Sequence, residues 1–569
     1  MRLKILHALF VIFFIFLAAC LFYLQIIKGQ LYEELSYRNS IRLLNVPAPR
    51  GIIYDRNGIA IADNVISFGV FIVPQEARDL DAEIRKLAGI LDIPESLLRR
   101  NYKRDYQAPF APCELVRDIP KKQAIIVEEL KLDMPGVLVK EFPVRRYPYG
   151  EAFAHLVGYV GEISKKELEL LKSYGYNLKD FIGKDGIERV MDSCLRGRNG
   201  GMQIQVDNRG RQVKVLNSRA SRAGKNVCLS VDAALQDLLW KMMRGKTGAA
   251  CFMEPDSGEI LALVSSPSFD PNESLAMALN DKNAPLLNRA IMGQYPPGSL
   301  FKIVVALSGL ETGKIRPETT FNCHGKLRIG DTEFNCWNRD GHGLMDLRHA
   351  ITESCNVYFY NTGLLCGVET IHRYAAELGF GRKTGIDLFG EKQGFLPSRA
   401  WKAKETQEAW YSGDTANLSI GQGYLSATPL QVLRMIACVA NGGELVEPYV
   451  LRKIDEATVG KEKKVKLELN KENIEAVKMG MRGVVEEGTG FRAWSSKVSI
   501  SGKTGTSQPG GGLESHAWFG GFAPSDKPEI CFVVFLEHGG SGGDMAAIIA
   551  KKAVEYWYKK RQYAAEARQ

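Results

Sequence analysis

Ser299 and Lys302 are a serine and a lysine whose types and spacing suit covalent acyl transfer. Pro296 and Pro297 precede them and an apolar run over 303–307 follows, so we predict a helix that begins at about Ser299. A spacing of three places both side chains on one helical face, one turn apart. A neutral lysine amine there can take the serine proton, and the free amides of the helix N-terminus favour the negative charge that develops.

Ser354, Cys355 and Asn356 form a second short motif, after a predicted helix over 348–353. The Ser354 hydroxyl can relay a proton, and the Asn356 amide can hold a substrate amide. Neither motif identifies an enzyme alone, because Ser-x-x-Lys is expected by chance about once or twice in this chain. A helix-capping serine beside a solvated lysine is therefore the alternative interpretation of the first motif.

The tripeptide Lys-Thr-Gly occurs three times, beginning at Lys246, Lys383 and Lys503, so its surroundings must distinguish the copies. Only the copy at Lys503 follows an alternating apolar stretch, with Val498 and Ile500, and precedes two strand-like runs. That pattern places this copy on a strand of a sheet.

The Lys503 copy carries groups that complement the first two motifs. Lys503 offers a second cation near Lys302, and such a cation favours the neutral form of the Lys302 amine. Gly505 lets a substrate backbone approach closely. Thr504 supplies a hydroxyl, and Thr506 supplies a backbone amide to an oxyanion.

The C-terminal part of the chain has the pattern of a compact domain that positions these motifs. It begins with apolar runs at 249–253 and 260–265 and ends with runs at 517–522 and 530–536, followed by a helical stretch over 545–559. Helical sequence separates the two pairs of runs. We therefore predict an α+β fold with an antiparallel sheet, covered by helices, in which the first and last strands meet.

The N-terminus predicts a membrane anchor. Arg2 and Lys4 precede an apolar run over 5–27, which is long enough to span a bilayer, and the positive residues mark the cytoplasmic side. The rest of the chain is then expected outside the cytoplasm. The segment 17–20 is similar to a lipoprotein cleavage site ending at Cys20, but the apolar run continues beyond it, which favours an uncleaved anchor.

Composition sets wide limits on function. With 569 residues, 45% hydrophobic and 24% charged, the chain is expected to be globular with at least two domains. The net charge of +9 comes from 74 basic and 65 acidic residues, which is too small an excess to indicate nucleic-acid binding. The eleven cysteines are irregularly spaced and odd in number. Six in apolar surroundings are predicted to be buried free thiols: Cys20, Cys228, Cys251, Cys366, Cys438 and Cys531.

Cys323, Cys336, His342 and Cys355 make a Cys3His set that suits a tetrahedral zinc site. Their gaps of 12, 5 and 12 residues are looser than those of a zinc finger, so spacing alone leaves alternatives open. One alternative is a disulfide between Cys323 and Cys336, with Cys355 as a buried free thiol. Another is that His324 replaces Cys323 as a ligand.

Taken in this order, the three motifs resemble the active-site set of the penicillin-recognising serine enzymes, and the joint match is specific. The rest of the chain narrows the resemblance to the class B penicillin-binding proteins, in particular to their elongation-specific branch. Segments similar to the pedestal of that class are 50–51, 55–58 and 186–188, and segments similar to its transpeptidase domain are 258–262, 420–423, 427–431 and 488–490.

The resemblance covers nearly the whole chain and implies three parts. These are a cytoplasmic tip and transmembrane anchor over 1–28, a non-catalytic, partner-binding pedestal of mixed α/β structure over 29–225, and a penicillin-binding transpeptidase domain over 226–569. A beta-lactamase needs neither anchor nor pedestal, and a bifunctional class A protein needs a glycosyltransferase domain that nothing before the last part resembles. A septal or sporulation transpeptidase remains the alternative, whereas a beta-lactam sensor is disfavoured because few residues precede the anchor.

The resemblance also implies an activity. The enzyme would be a peptidoglycan D,D-transpeptidase that cross-links stem peptides during cell-wall elongation through an acyl-enzyme on Ser299, which beta-lactams also acylate. Lys302 is implied as the base, Ser354 as the proton carrier toward the leaving D-alanine, and Asn356 as a contact to the donor peptide. The substrate carboxylate and the oxyanion are implied to bind at Lys503, Thr504, Gly505 and Thr506.

Partners and a metal are implied by the same resemblance. The expected partners are a polytopic glycan polymerase of the elongation machinery, its scaffold proteins, the membrane, and stem peptides ending in D-Ala-D-Ala. Some elongation-type members hold zinc near the active site, with one ligand in the middle position of the second motif, which Cys355 occupies in this chain. The resemblance therefore favours a structural zinc ion at the Cys3His set that positions Ser354 and Asn356.

Overall fold

The computed structural model describes residues 2–207, 212–460, 462–508 and 512–566. Its contacts divide the chain into two compact units. The smaller unit comprises residues 1–51, 64–145 and 196–224, and the larger unit comprises residues 52–63, 146–195 and 225–569. The predicted boundary at residue 225 coincides with the start of the last segment of the larger unit, but two shorter segments of the predicted pedestal also belong to that unit. The division into three linear parts stays a prediction.

Both compact units contain β-strands. In chain order, the strands within the described residues are β1 Ile41–Val46, β2 Ile53–Tyr54, β3 Ala60–Ile72, β4 Cys113–Ile119, β5 Val137–Arg146, β6 Val160–Glu162, β7 Phe181–Gly183, β8 Gly200–Val206, β9 Gln212–Arg219, β10 Val227–Leu229, β11 Gly248–Met253, β12 Ile260–Ser266, β13 Phe321–Cys323, β14 Lys326–Ile329, β15 Thr332–Asn335, β16 Gly343–Met345, β17 Glu444–Val446, β18 Leu451–Ile454, β19 Ala457–Thr458, β20 Lys464–Lys466, β21 Ser501–Ser507, β22 His516–Ala523 and β23 Ile530–Leu536.

Helices also occur in both units. In chain order, the α-helices within the described residues are α1 Arg2–Phe22, α2 Gly29–Ser40, α3 Leu80–Leu91, α4 Glu95–Asp105, α5 Lys121–Glu129, α6 Ala154–Val157, α7 Lys165–Leu171, α8 Gly186–Val190, α9 Asp192–Leu195, α10 Ala233–Met243, α11 Ala276–Asn280, α12 Lys302–Glu311, α13 Leu347–Thr352, α14 Asn356–Glu377, α15 Arg399–Glu405, α16 Ser412–Ser419, α17 Pro429–Ala440, α18 Lys471–Glu486 and α19 Met545–Glu566. A π-helical turn, Tyr23–Ile27, continues α1, and a 3₁₀ turn, Gly298–Phe301, leads into α12.

The larger unit is built on a five-stranded antiparallel sheet in the order β12-β11-β23-β22-β21. Two hairpins confirm the predicted strand pairs, since β11 pairs with β12 and β22 pairs with β23. β11 also pairs with β23, so the first and last strands of the region meet as predicted. Every residue of these four strands is buried, which explains why their sequences are continuous apolar runs rather than alternating ones.

Helices cover both faces of this sheet. On one face, α17 is buried along its whole length and contacts β11, β22 and β23. A capping box between Thr428 and Gln431 fixes its first turn. On the other face, α10 and α19 form a separate apolar cluster with the sheet. α12 contacts α14, and α14 contacts α16, so the helices that carry the first two motifs support each other directly.

The smaller unit has its own core. The part of β3 that belongs to this unit pairs with β4 and β5. Apolar side chains of α3, α4 and α5 pack with those of the strands in one buried cluster. Val70, Leu87, Leu98 and Leu115 are fully buried there. Elsewhere in this unit, β1, β8 and β9 form a three-stranded antiparallel sheet.

The N-terminal helix has the features of a membrane span. Leu3–Ile27 is the one helix within the described residues that is long and apolar enough to cross a bilayer, and none of it is buried in the protein. Phe10 and Phe14 expose 69% and 66% of their surface. Apolar side chains exposed on this scale are stable in lipid rather than in water, so the chain is a single-pass membrane protein.

All eleven cysteines are free thiols. Cys251, Cys366, Cys438 and Cys531 are buried as predicted. The prediction is wrong for Cys20, which lies on the exposed α1, and for Cys228, which is only partly buried. The reason for Cys228 is that β10 alternates, so its two flanking residues face the core and Cys228 faces away from it.

Candidate active site

Ser299 lies in the 3₁₀ turn that leads into α12, close to the predicted helix start. Its neighbours Gly298 and Leu300 are buried, whereas Ser299 is partly exposed. Gly298 has a φ of +56°, and a Cβ atom there would lie 2.9 Å from the carbonyl oxygen of Thr506. The turn that presents Ser299 therefore depends on a glycine, for conformation and for space.

Lys302 is fully buried one turn after Ser299. Its Nζ donates to the Ser354 carbonyl oxygen at 2.8 Å, to the Ser354 Oγ at 3.2 Å and to the Asn356 Oδ1 at 2.7 Å. Burial lowers the pKa of Lys302 to about 8. The amine is therefore easier to deprotonate than an ordinary lysine, as a general base requires. The structure thus brings the first two motifs together, and the interpretation of Lys302 as a solvated lysine is wrong.

Ser354 connects α13 to α14 in an unusual backbone conformation. Its φ of +53° lies in the left-handed region, which costs a serine about 1–2 kcal/mol. This conformation lets its carbonyl and hydroxyl oxygens both face Lys302. Asn356 begins α14, and its Nδ2 donates to the Asn335 carbonyl oxygen at 3.2 Å. The Asn356 side chain therefore bridges Lys302 and the end of β15.

Lys503 lies on β21, as predicted, and is fully buried. Burial and the positive charge of Lys302 hold the pKa of Lys503 well below its usual value. Its Nζ donates to the Thr504 carbonyl oxygen at 3.2 Å. Two buried lysines thus face the same region, and their repulsion disfavours the state in which both are charged.

The remaining residues of the Lys503 motif differ in exposure. The Thr504 hydroxyl is hydrogen-bonded to the Thr489 hydroxyl at 2.7 Å, whereas Thr506 is exposed on the strand. A Cβ atom at Gly505 would lie 3.0 Å from the Trp518 Cβ and 3.2 Å from the Pro297 carbonyl oxygen. The glycine therefore allows β21 to pack closely against the turn that carries Ser299, a role that we did not predict.

The other two Lys-Thr-Gly copies lie outside this site. Gly248 is the first residue of β11, and Thr247 directly precedes it. In the copy at Lys383, the buried Glu391 accepts hydrogen bonds from the Thr384 backbone N–H at 2.7 Å and from its hydroxyl. That copy stabilises a turn, whereas the copy at Lys503 is the one that the structure brings near Lys302.

Cys323, Cys336, His342 and Cys355 form one cluster, with one ligand atom of each residue within 4.8 Å of the others. The His342 Nδ1 lies 3.5 Å from the Cys323 Sγ and 3.5 Å from the Cys336 Sγ. The alternative of a disulfide between Cys323 and Cys336 is contradicted, because both are free thiols. His324 is exposed and outside the cluster, so it does not replace Cys323.

The dimensions and contacts of this cluster fit a tetrahedral metal ion. Typical zinc bond lengths to sulfur and nitrogen place such ligand atoms roughly 3.6 Å apart, close to the observed 3.5 Å. A hydrogen bond with Cys355 and one from the Asn356 backbone N–H lower the pKa of the Cys336 thiol. The Asn356 backbone nitrogen lies 3.3 Å from the Cys336 Sγ. A thiolate that accepts a backbone hydrogen bond is the ligand form that zinc requires.

Two supporting residues escaped the sequence analysis. Thr489 contacts the hydroxyl of Thr504 and its own hydroxyl donates to the Thr352 carbonyl oxygen at 3.5 Å. Trp337 donates from Nε1 to the Glu353 carbonyl oxygen at 2.9 Å, directly before Ser354. No local pattern marks either residue, although Thr489 lies within the segment 488–490 that carried part of the resemblance.

Two family models match the chain. The model described as the penicillin binding protein transpeptidase domain matches residues 248–555, and the model described as the penicillin-binding protein dimerisation domain matches residues 45–229. The first match spans more than half of the chain and includes all three motifs.

Individual relatives agree with these matches. The peptidoglycan D,D-transpeptidase MrdA of Haemophilus influenzae is 33% identical over an alignment 579 residues long, gaps included. The alignment covers 95% of this chain and 89% of that protein. A complex between penicillin-binding protein 2 and MreC from Helicobacter pylori aligns with a TM-score of 0.79 and 30% identity, covering 91% of this chain and 99% of that one. A peptidoglycan synthase complex, described for the coordination of polymerization and crosslinking, aligns with a TM-score of 0.75 and 29% identity, covering 98% of each chain.

Proposed function

This chain belongs to the penicillin-binding protein transpeptidases and is a peptidoglycan D,D-transpeptidase, and we propose that it forms its acyl-enzyme on Ser299. The observation that carries the assignment is the environment of Lys302. This lysine is fully buried one turn from the partly exposed Ser299, and the Ser354 motif accepts its hydrogen bonds. Such a network holds a potential base beside the nucleophile and gives its proton a path away.

Acylation begins when the Ser299 oxygen attacks the carbonyl carbon between the two terminal D-alanines of a stem peptide. Lys302 in its neutral form takes the Ser299 proton as the new C–O bond forms. The C–N bond then breaks, and the Ser354 hydroxyl passes a proton from Lys302 to the departing D-alanine amine. The product is an ester between Ser299 and the shortened stem peptide, with free D-alanine released.

The second half of the reaction reverses these roles. An amine of a neighbouring stem peptide attacks the ester carbonyl, its proton passes to Lys302, and Ser299 leaves with a proton as the new amide forms.

Asn356 is held between Lys302 and the Asn335 carbonyl oxygen, so its amide is fixed in place to orient the donor peptide. Before D-alanine leaves, Lys503, Thr504 and Thr506 would provide a cation and hydroxyls for the terminal carboxylate of the donor peptide.

Cross-linking is measured most directly with purified full-length chain in detergent, supplied with glycan polymer that carries pentapeptide stems. We expect cross-linked dimers and one D-alanine released per cross-link, both abolished by penicillin. Release of D-alanine without any cross-linked dimer would contradict the transpeptidase assignment and indicate a carboxypeptidase.

We further propose that the Cys323 cluster holds one zinc ion. The four residues would be its ligands. The ion would have a structural role, holding the ligands in a fixed tetrahedral arrangement, and would take no part in the reaction. Cys355 lies between Ser354 and Asn356 in the chain, and Cys336 follows directly after Asn335. Fixing these two cysteines therefore fixes both residues that accept hydrogen bonds from Lys302, together with the carbonyl that holds Asn356.

Removing one ligand tests this proposal. We expect Cys336→Ser to reduce the metal content from about one equivalent of zinc to none and to slow acylation by labelled penicillin by about 10- to 100-fold, as is typical when ligand support is lost. Elemental analysis measures the metal independently of activity. Cys438→Ser is the matched control, because Cys438 is buried in α17, outside the cluster, and should leave zinc content unchanged. Metal-free wild-type protein that reacts normally with penicillin would contradict the proposal.

We propose that the enzyme acts on the outer face of the cytoplasmic membrane during elongation. The positive charges of Arg2 and Lys4 before the apolar run favour an N-terminus in the cytoplasm, and in that orientation both compact units would face the growing wall. The similarity to penicillin-binding protein 2 in complex with MreC supports a scaffold partner of that kind. The similarity to a synthase complex that coordinates polymerization and crosslinking supports a polytopic glycan polymerase as the second partner.

Depletion of the protein distinguishes elongation from septation. We expect depleted cells to lose their rod shape and become round, because insertion of cross-linked wall along the cylinder stops while division continues. Light microscopy of cells after depletion measures this. Long filaments with smooth sides would instead show a septal role, and normal growth with a defect only in spores would show a sporulation role.

A further inference from the structure

A small pocket is lined in part by the residues that follow Gly421, whose backbone contacts the turn that carries Ser299. It is lined by Trp410, Asp414, Asn417, Gln422 and Tyr424, among others, and has a volume of about 220 Å³. We call it the Tyr424 pocket. Drug-sized ligands occupy pockets of roughly 300–1,000 Å³, so this one has room for a single side chain, peptide unit or sugar ring.

One backbone hydrogen bond joins the segment that leads into the Tyr424 pocket to the turn that carries Ser299. The Gly298 N–H donates to the Gly421 carbonyl oxygen at 3.0 Å, so the residues before Ser299 and before Gln422 are direct neighbours. A Cβ atom at Gly421 would lie 2.1 Å from the Gly298 carbonyl oxygen, which shows how closely the two segments pack. Tyr424 lies three residues further on, at most about 11 Å along the chain.

The polar side chains of the pocket have unused hydrogen-bonding capacity. The side-chain amides of Asn417 and Gln422 and the Tyr424 hydroxyl make no hydrogen bond within the described part of the chain, although Asn417 and Gln422 are partly buried. Partly buried amides without a protein partner are suited to bind a ligand that supplies one. Each amide both donates and accepts, so the complementary group must also do both, as another amide does.

The charges in the pocket are already neutralised. The Asp414 Oδ2 lies 2.7 Å from the Nζ of Lys402, which is itself buried, and it accepts a hydrogen bond from the Tyr411 backbone N–H at 2.8 Å. The indole of Trp410 and the ring of Tyr424 provide apolar surface on the pocket wall. The pocket therefore favours a neutral ligand that combines a secondary amide with an apolar face.

We propose that the Tyr424 pocket is a substrate-binding subsite, separate from the reacting groups, that holds a secondary amide of peptidoglycan and its adjoining apolar face. The proposal rests on the transpeptidase function assigned above. Peptidoglycan offers this chemistry in two places, the peptide bonds of the stem and the acetamido groups of its sugars. Three or four extended residues span roughly 10–14 Å, which matches the upper limit of about 11 Å from Gly421 to Tyr424, so a stem peptide has the length that such a subsite requires.

The test measures binding without turnover, in full-length Ser299→Ala protein in detergent. Its ligands are a pentapeptide ending in D-Ala-D-Ala, the same pentapeptide on its N-acetylated disaccharide, and the disaccharide alone. We expect the added change Tyr424→Ala to weaken binding of the disaccharide-pentapeptide by about 10-fold, as loss of a well-packed aromatic contact does. An equal loss with the bare pentapeptide identifies a stem peptide bond as the bound amide, whereas a loss confined to the sugar-containing ligands identifies the acetamido group.

A matched control and a second readout separate binding from structural support. Tyr174→Ala removes an exposed tyrosine outside the pocket, 74% exposed, and should leave all three affinities unchanged. With Ser299 intact, Tyr424→Ala should keep its rate of acylation by penicillin within about twofold, because penicillin reacts at Ser299 and carries neither the stem residues nor the sugars that the pocket is proposed to hold. Unchanged affinity for every ligand, or a parallel fall in penicillin acylation, would overturn the proposal. A wild-type enzyme that bound these ligands but formed no cross-links would instead contradict the assigned function.

Discussion

Ser299→Ala is expected to abolish labelling by fluorescent penicillin, a loss of at least about 10³-fold, because no ester can form without the serine oxygen. The change removes one partly exposed oxygen at the start of α12, so the free energy of unfolding should change by less than about 1 kcal/mol. Gel fluorescence after reaction with the labelled drug measures the first effect. Denaturant unfolding followed by circular dichroism measures the second.

Ser308→Ala is the matched control for this experiment. Ser308 lies on α12, which follows the turn that carries Ser299, is fully buried, and donates from Oγ to the Val304 carbonyl oxygen at 2.7 Å. A serine that bonds back to its own helix contributes little to stability, so the variant should fold and label normally. Labelled Ser299→Ala protein would show that another residue is acylated and would contradict the assignment of the nucleophile.

The catalytic sheet was predictable because its strands are buried on both faces. Burial of that kind favours apolar residues at nearly every position, and it leaves continuous runs such as Ile530–Leu536 that stand out in a sequence. The turn before α12 was predictable for a different reason, since two prolines exclude a helix and force it to begin after them. In both cases one local rule determines the structure of a short segment.

The division of the N-terminal half could not be read in the same way. Residues 52–63 and 146–195 belong to the larger unit although residues of the smaller unit lie between them in the chain. Membership of a compact unit depends on contacts between segments far apart in sequence, such as the parallel pairing of Ile53 with Val227. The hydrophobic pattern within either segment does not indicate such a long-range contact.

Within the site, the residue types were predictable but their arrangement was not. The left-handed backbone of Ser354 has no signature in the sequence, because it follows from the hydrogen bonds that its two oxygens make to Lys302. The pairing of Thr489 with Thr504 likewise depends on how the segment before β21 packs. Gly505 also has a role that was not predicted, since close packing against Pro297 requires a glycine there whether or not a substrate is bound. The predicted approach of a substrate backbone to Gly505 stays a prediction.

Lys302 is expected to control the pH dependence of acylation. Burial lowers its pKa to about 8, so most of the amine is protonated at neutral pH and cannot accept the Ser299 proton. The acylation rate with penicillin should therefore rise with pH through about pH 8 and level off above it, as the neutral fraction approaches one. Stopped-flow measurements of penicillin acylation across roughly two pH units on either side of that value test this directly.

Lys302→Met shows whether this ionisation belongs to Lys302. The methionine keeps most of the buried volume but has no base, so acylation should be about 10³-fold slower, and the inflection near pH 8 should disappear. Lys314→Met is the matched control, because Lys314 is exposed just beyond α12 and should leave both rate and pH profile unchanged. If Lys302→Met kept the wild-type inflection, the titrating base would be another group, and the buried Lys503 would be the next residue to replace, since its pKa is lowered by the same burial and by the Lys302 charge.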